Sequence, residues 1–362
     1  MILAELPTPS PTGDILVAFL SIVFEGAPYI LVGTLLSGFI DAFLPAKLLE
    51  RVLPKSRILA TFMAGFLGLV FPVCECAIVP VIRRLVQKGL PMSCAVTYML
   101  AAPIVNPIVA ISTLTAFKEF QNWSWADPTS ATMTIARLSL GYVVAVLVGL
   151  FLIRFKPKQI LRANITAQIE ATAKEGAEAD PAAKPAPFNG KLVHAMRTTM
   201  RDFLDTGMYF AVGVIITSIF NTRVDQAILN SVAGNEALAL PSMMGLAMVL
   251  SLCSTSDAFI AAPMAAFSSA AKLAFLVFGP MMDIKLLFMY SAVFHRRVVL
   301  GFVVGLFGLI WLFAHPWTTK QAKTDSQDPA KTEQKSLWPY PGWYGVIDWM
   351  SAGKSNEKPS GN

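Results

Sequence analysis

Charge is what this chain of 362 residues has least of. Asp, Glu, Lys and Arg together make up 14% of it, against roughly a quarter in a soluble globular domain. Histidine is scarce as well. His194, His295 and His315 fall in loops or at the ends of apolar runs, without ligand spacing. No Walker sequence, no paired catalytic histidine and no nucleophile elbow occurs, so an enzyme is not expected. The four cysteines all lie in apolar sequence, unlike those of an extracellular disulfide scaffold. No basic stretch precedes the first apolar run, so no cleavable signal peptide is expected. Nothing in the pattern calls for a cofactor.

Hydrophobic residues fill the space that charge leaves, at 55% of the chain with a mean hydropathy of +0.58. Several apolar runs exceed the roughly 18–20 residues that span a bilayer. The fold class expected is an all-α polytopic membrane protein of the bacterial inner membrane. The net charge of +6 does not indicate nucleic acid. Outside the C-terminal tail most Lys and Arg fall in a few short loops, as the positive-inside rule requires. The partners expected are the lipid bilayer and a small-molecule or metalloid substrate.

Residues 1–13 are Pro-rich and lack Lys and Arg, which suits a periplasmic N-terminus. A first transmembrane repeat is expected over 14–155, opening with a span to about Phe43. Lys47, Arg51, Lys55 and Arg57 then mark a cytoplasmic loop, and Arg83, Arg84 and Lys88 a second basic cluster. A full crossing between them would put the second cluster outside. A re-entrant hairpin over about 58–88 keeps both inside, with Pro72 and Pro80 as its break. A span interrupted by Pro103, Asn106 and Pro107 follows, then a return span ending before Arg154. Residues 156–200, rich in Ala, Lys and Glu, are expected to form a cytoplasmic linker.

A second repeat is expected over 201–315, with a hairpin whose tip lies near Cys253 to Asp257 and a span broken at Pro280 and Asp283. The tail, 316–362, carries an aromatic stretch at 338–350 that suits a membrane interface. At a shift of roughly 180 residues the halves match: Glu25, Tyr29 and Gly33 fall on Asp205, Tyr209 and Gly213. Likewise Cys74 falls on Cys253, Pro103 on Pro280 and Asn106 on Asp283. Three crossings and a hairpin make an odd count, so the halves are expected to be inverted repeats whose breaks meet near the midplane.

The chemistry is expected where Cys74, Glu75 and Cys76 interrupt an apolar run. An ionisable group at membrane depth marks a site by default. Cys74, Cys76 and Cys253 offer soft thiolate ligands for trivalent arsenic, antimony or Cu(I), although membrane cysteines also serve as small hydrophobes. Glu75 is the candidate proton carrier, with Asp257 beside it in that role. Asn106 and Asp283 are candidates to line the cavity or to bond freed backbone. Asp283 has a structural alternative as the ion partner of Lys285. Glu25 and Asp205 can be read as a structural pair, and Cys94 as packing.

At FPVCECAIVPVIRR, AAPIVNP and LCSTSDAFIAAP the chain resembles the bacterial predicted-permease family that includes the ArsP-type organoarsenical efflux permeases and the YraQ-like permeases. The resemblance covers about 14–315, apart from the linker. It implies export of trivalent arsenicals from the cytoplasm, with Cys74, Cys76 and Cys253 as thiol ligands. Two alternatives remain open from the residues: a permease for another small metabolite or anion held by the hairpin tips, and a membrane scaffold that transports nothing.

Overall fold

Long apolar runs give long helices here, and prolines and buried polar residues set where those helices stop. The computed structural model describes residues 11–43, 54, 56–71, 73–117, 119, 132–155, 157–163, 166–167, 188–221, 236–264 and 267–325. Among these residues the structure is helical, without a strand beyond one isolated bridge. Two units are distinguished, Met1–Thr318 and Thr319–Asn362, and all that follows concerns the first. Lys47, Arg51, Lys55, Pro72 and the 338–350 stretch lie outside the described residues.

Helix α1 (Pro11–Phe43) leads to α2 (Arg57–Gly65), α3 (Leu67–Val70), α4 (Glu75–Gln87) and α5 (Met92–Ala101). Next come α6 (Pro107–Ala116), α7 (Thr132–Leu152) and the single turn α8 (Pro157–Ile160). The second half holds α9 (Phe188–Asn221), α10 (Glu236–Leu250), α11 (Asp257–Ala261), α12 (Ser269–Met281), α13 (Ile284–Val293) and α14 (Arg296–Asp325). Five segments are long and apolar enough to cross a membrane: Ile15–Phe43, Thr132–Leu152, Phe188–Phe220, Ser269–Val293 and Arg296–His315.

Side-chain contacts fix the chain directions. Thr61 and Ser93 both meet the backbone at Gly149, and Gly68 lies against Ala102 and Val105. Helices α2 and α3 therefore run parallel to α5. Helix α4 joins α5 through a tight turn at Gly89, whose φ is +100°, and so runs back the opposite way. The chain thus reverses at 71–74, with Arg57, Arg83 and Lys88 at one end of the bundle. Pro80 does not share in that break. It sits inside α4, where the Ser37 hydroxyl donates to its carbonyl at 3.2 Å.

The break at 102–106 ends where Asn106 caps α6, its side chain accepting from the Ile108 N–H at 2.9 Å with Pro107 in the first turn. Asp283 does the same for α13, accepting from the Leu286 N–H at 2.7 Å. Pro280 lies inside α12, and the break falls just beyond it at 282–283. Helix α9 starts at Phe188 and continues unbroken past residue 201, well inside what reads as linker.

Two glycines set how closely these helices approach. A Cβ at Gly33 would stand 2.8 Å from the Ala77 Cα, and one at Gly213 2.6 Å from the Lys285 Cα. Both neighbours are backbone, which cannot swing away. Gly33→Ala should therefore destabilise the protein by about 1–3 kcal/mol through overpacking. Gly207→Ala, with nothing within 4 Å, should be neutral or stabilising by up to about 1 kcal/mol. Thermal midpoints of the two variants in detergent check the contrast.

Candidate functional site

Helix breaks leave backbone carbonyls that hydrocarbon would not satisfy, and buried side chains reach those at three of them. The Tyr98 hydroxyl donates to the Phe71 carbonyl at 3.3 Å, and the Tyr290 hydroxyl to that of Met281 at 3.3 Å. At 251–256 the acceptors take cations instead. The Lys285 ammonium donates to the Ser251 carbonyl at 2.8 Å, and the Arg137 guanidinium to that of Ser254 at 3.0 Å. Ser251 has a φ of 48°, a left-handed conformation that persists only where its surroundings hold it.

Those cations organise a buried polar core between the halves. Glu75, at the first position of α4, is 0% exposed. It accepts from the Ser254 hydroxyl at 3.1 Å, and Lys285 lies 3.5 Å from its other oxygen. Lys285 is also 3.5 Å from Asp283. Arg137, 1% exposed in the middle of α7, pairs with Asp257 at 2.7 Å and donates to the Thr113 hydroxyl at 2.8 Å. Glu75 and Arg137 belong to the first half, and their partners Lys285 and Asp257 to the second. Each hairpin tip is held by a charge from the other half.

The cysteines stand beside this core. Cys76 and Cys253 line one small cavity with Lys285, Glu25, Tyr29 and Phe210. At about 10 Å³ it has room for roughly one water molecule. Cys74 is the residue before α4 and is partly exposed. The three sulfurs do not converge on one point: among the described residues, no group of three or more Cys, His, Asp or Glu is gathered closely enough to hold a metal ion. Cys94 is packed in the apolar core at 0% exposure.

A wider cavity, of about 220 Å³, lies beneath, lined by Val79, Arg83, Asp205, Tyr209, Met289 and Val293 among others. Glu75 and Lys285 sit four residues before Val79 and Met289, so this cavity ends about one helical turn, ~5.4 Å, from their ion pair. Charges ring its mouth. Arg84 pairs with Asp202 at 2.8 Å, and Asp41 lies 3.1 Å from His194, 3.7 Å from Arg84 and 3.8 Å from Lys88.

Of the residues singled out in the sequence, Glu75, Cys76, Cys253 and Asp283 are gathered around Lys285, with Asp257 joined to them through Ser254 and Arg137. Asn106 is a helix cap, and no contact ties it to Glu75 among the described residues. Pro103 sits in the turn between α5 and α6. Glu25 and Asp205 find separate partners: Glu25 accepts from the Ser256 hydroxyl at 2.9 Å, and Asp205 pairs with Arg83 at 3.6 Å. Arg137 escaped the sequence reading, although a lone arginine inside a 21-residue apolar helix is a signal in its own right.

A family model described as "Predicted permease" matches residues 12–315. The chain is 37% identical over 287 residues to the UPF0718 protein YcgR of Bacillus subtilis, across 78% of this chain and 89% of that protein. It is 36% identical over 304 residues to a Streptococcus mutans protein named as a candidate subunit of a two-component membrane permease complex, across 82% of this chain and 92% of that protein. No solved structure matches it.

Proposed function

The chain belongs to the ArsP_1 predicted-permease family, and on that premise we propose that it exports a small, soft, thiol-reactive solute such as a trivalent organoarsenical from the cytoplasm, coupled to protons through Glu75. The observation that carries this reading is the cavity shared by Cys76 and Cys253, one thiol from each half, against Lys285 and the buried Glu75. Soft trivalent arsenic prefers sulfur donors. Two sulfurs facing one cavity supply a selective pair, with Cys74 one residue from the break. The cavity has room for roughly one water, and the 220 Å³ vestibule lies one turn away. That arrangement suits a carrier whose site is approached from the Arg83 end.

The chain directions support a mirrored construction. One hairpin (α2–α4) starts and ends at the basic end, as such a construction requires of one half. Inverted repeats that insert their tips toward each other place a site near the bilayer midplane. In the inner membrane this puts Arg57, Arg83 and Lys88 in the cytoplasm and the N-terminus in the periplasm. Ser56→Cys and Lys88→Cys should then be labelled by an impermeant maleimide from the same, cytoplasmic face. Labelling from opposite faces would refute the hairpin and the sidedness together.

Proteoliposomes test the substrate. Cys76→Ser and Cys253→Ser should each cut uptake of methylarsenite into inverted vesicles by at least about tenfold, or about 1.4 kcal/mol. Normal export by both variants overturns the thiol mechanism. One observation favours a second reading: Lys285 lines the cavity, and no three-sulfur cluster forms. A small anion held by Lys285 and the tips fits that arrangement, and its transport would survive thiol alkylation.

A further inference from the structure

Another concave surface lies away from the cysteines, where two distant corners of the chain are stitched together. After α7 and α8, Leu161 pairs with Phe294 in an isolated antiparallel bridge. The Arg162 N–H donates to the Val293 carbonyl and the His295 N–H to that of Ile160, both at 3.0 Å. Ile160, Leu161 and Phe294 are each 1% exposed, so the stitch is anchored in the apolar core. Its consequence is electrostatic. Arg162 is brought against His295, Arg296 and Arg297, and these residues with Gln159 line a pocket of about 530 Å³.

Among the described residues, nothing acidic answers this charge. The lining contains no carboxylate, and the first turn of α14, where Arg296 and Arg297 sit, contains none either. The amino end of that helix adds its own positive potential, which favours an anion rather than more cations. The ion pairs formed among the described residues leave Arg162, Arg296 and Arg297 uncommitted. Orienting the protein in a membrane requires only that such residues lie on one side. It does not require that they be drawn from two corners into one concavity.

The surroundings select the kind of anion. Leu300 and Val304 follow Arg296 at four-residue steps on the same face of α14, and each is 65% exposed. They belong to the segment Arg296–His315, which can cross a membrane. Phe151 in the last turn of α7 and Phe155 just beyond it are also exposed. A basic pocket thus opens onto an apolar face that acyl chains can cover, the arrangement by which interfacial basic pockets hold anionic headgroups.

The geometry points to a binding site for the phosphodiester headgroup of an anionic lipid, formed by Arg162, Arg296 and Arg297 with His295. Native mass spectrometry of the detergent-solubilised protein tests it, with phosphatidylglycerol, phosphatidylcholine or inorganic phosphate added at equal concentration. Phosphatidylglycerol should be retained at least tenfold more strongly than phosphatidylcholine. The variant Arg162→Gln/Arg296→Gln/Arg297→Gln should lose that preference. Equal retention by wild type and variant overturns the site, and retention of inorganic phosphate as strong as that of the lipid overturns the lipid assignment. Should the triple variant not fold, Arg162→Gln alone leaves the start of α14 intact and should still weaken retention severalfold. An unchanged preference in that variant overturns the proposal, because the site needs the arginine that the bridge delivers.

Discussion

Replacing Arg137 by methionine should destabilise the protein by about 3–5 kcal/mol, the usual cost of leaving one member of a buried ion pair alone. Methionine matches the length of the arginine stem, so the loss comes from charge rather than from a cavity. What it strands is specific. Asp257, 3% exposed, loses its partner at 2.7 Å, while its other oxygen is already without a hydrogen-bond donor. The Ser254 carbonyl and the Thr113 hydroxyl lose a donor in the same step. Removing both charges should undo most of the damage. Arg137→Met/Asp257→Leu is expected to recover at least about half of the lost stability, since a well-packed apolar pair is often as good as a buried ionic one. Thermal midpoints and denaturant unfolding in detergent measure both effects. A single variant as stable as the parent, or a double variant worse than the single, contradicts this account of how the 251–256 tip is held.

That pair also marks where sequence reading stops. The breaks were legible because prolines and polar residues interrupt apolar runs, and apolar surroundings make each interruption expensive. Cys76 and Cys253 stood out because each is a thiol at an interruption of an apolar run, and both line one cavity. Partners were not. Arg137 and Asp257 are 120 residues apart, Arg84 and Asp202 118, and Glu75 and Lys285 210. A lone charge in an apolar run announces its cost but not the group that offsets it. The three-thiol ligand set failed for a related reason. Cys74 and Cys76 are neighbours in sequence, but Cys76 begins to follow the helix of α4 while Cys74 stays outside it, so their sulfurs need not face one point.

The start of α9 lies within what the sequence presents as a partly helical or disordered linker. Lys191, His194, Arg197 and Arg201 make 188–201 look like solvated linker, yet these residues continue an apolar span. Hydrogen bonds from His194 and Thr198 to Asp41, at 3.1 and 3.3 Å, tie this end of α9 to the end of α1. The helix is held there by polar contacts with its neighbour, which periodicity in a single segment does not reveal. The same end carries Arg83, Asp202 and Asp205, the charges that line the 220 Å³ cavity.

Glu75→Gln should separate solute binding from proton coupling. Glutamine keeps the size of the side chain and an oxygen that can accept from the Ser254 hydroxyl, a contact of 3.1 Å in the parent. Lys285 still has Asp283 at 3.5 Å and the Ser251 carbonyl at 2.8 Å, so the site retains a counterion and should stay folded. What disappears is the buried carboxylate that accepts from the Ser254 hydroxyl and faces Lys285, the group through which protons are proposed to couple. In proteoliposomes loaded with methylarsenite, exchange of labelled for unlabelled solute should persist within about threefold. Accumulation driven by an imposed pH gradient should fall by at least about tenfold, equivalent to about 1.4 kcal/mol. The buried Asp257 provides the comparison. It is committed to Arg137 at 2.7 Å, and Asp257→Asn should lower stability more than it alters the ratio of uphill to exchange flux. Uphill transport by Glu75→Gln at the parental rate would remove Glu75 from the coupling step. Loss of exchange as well as accumulation would make it part of the solute site instead.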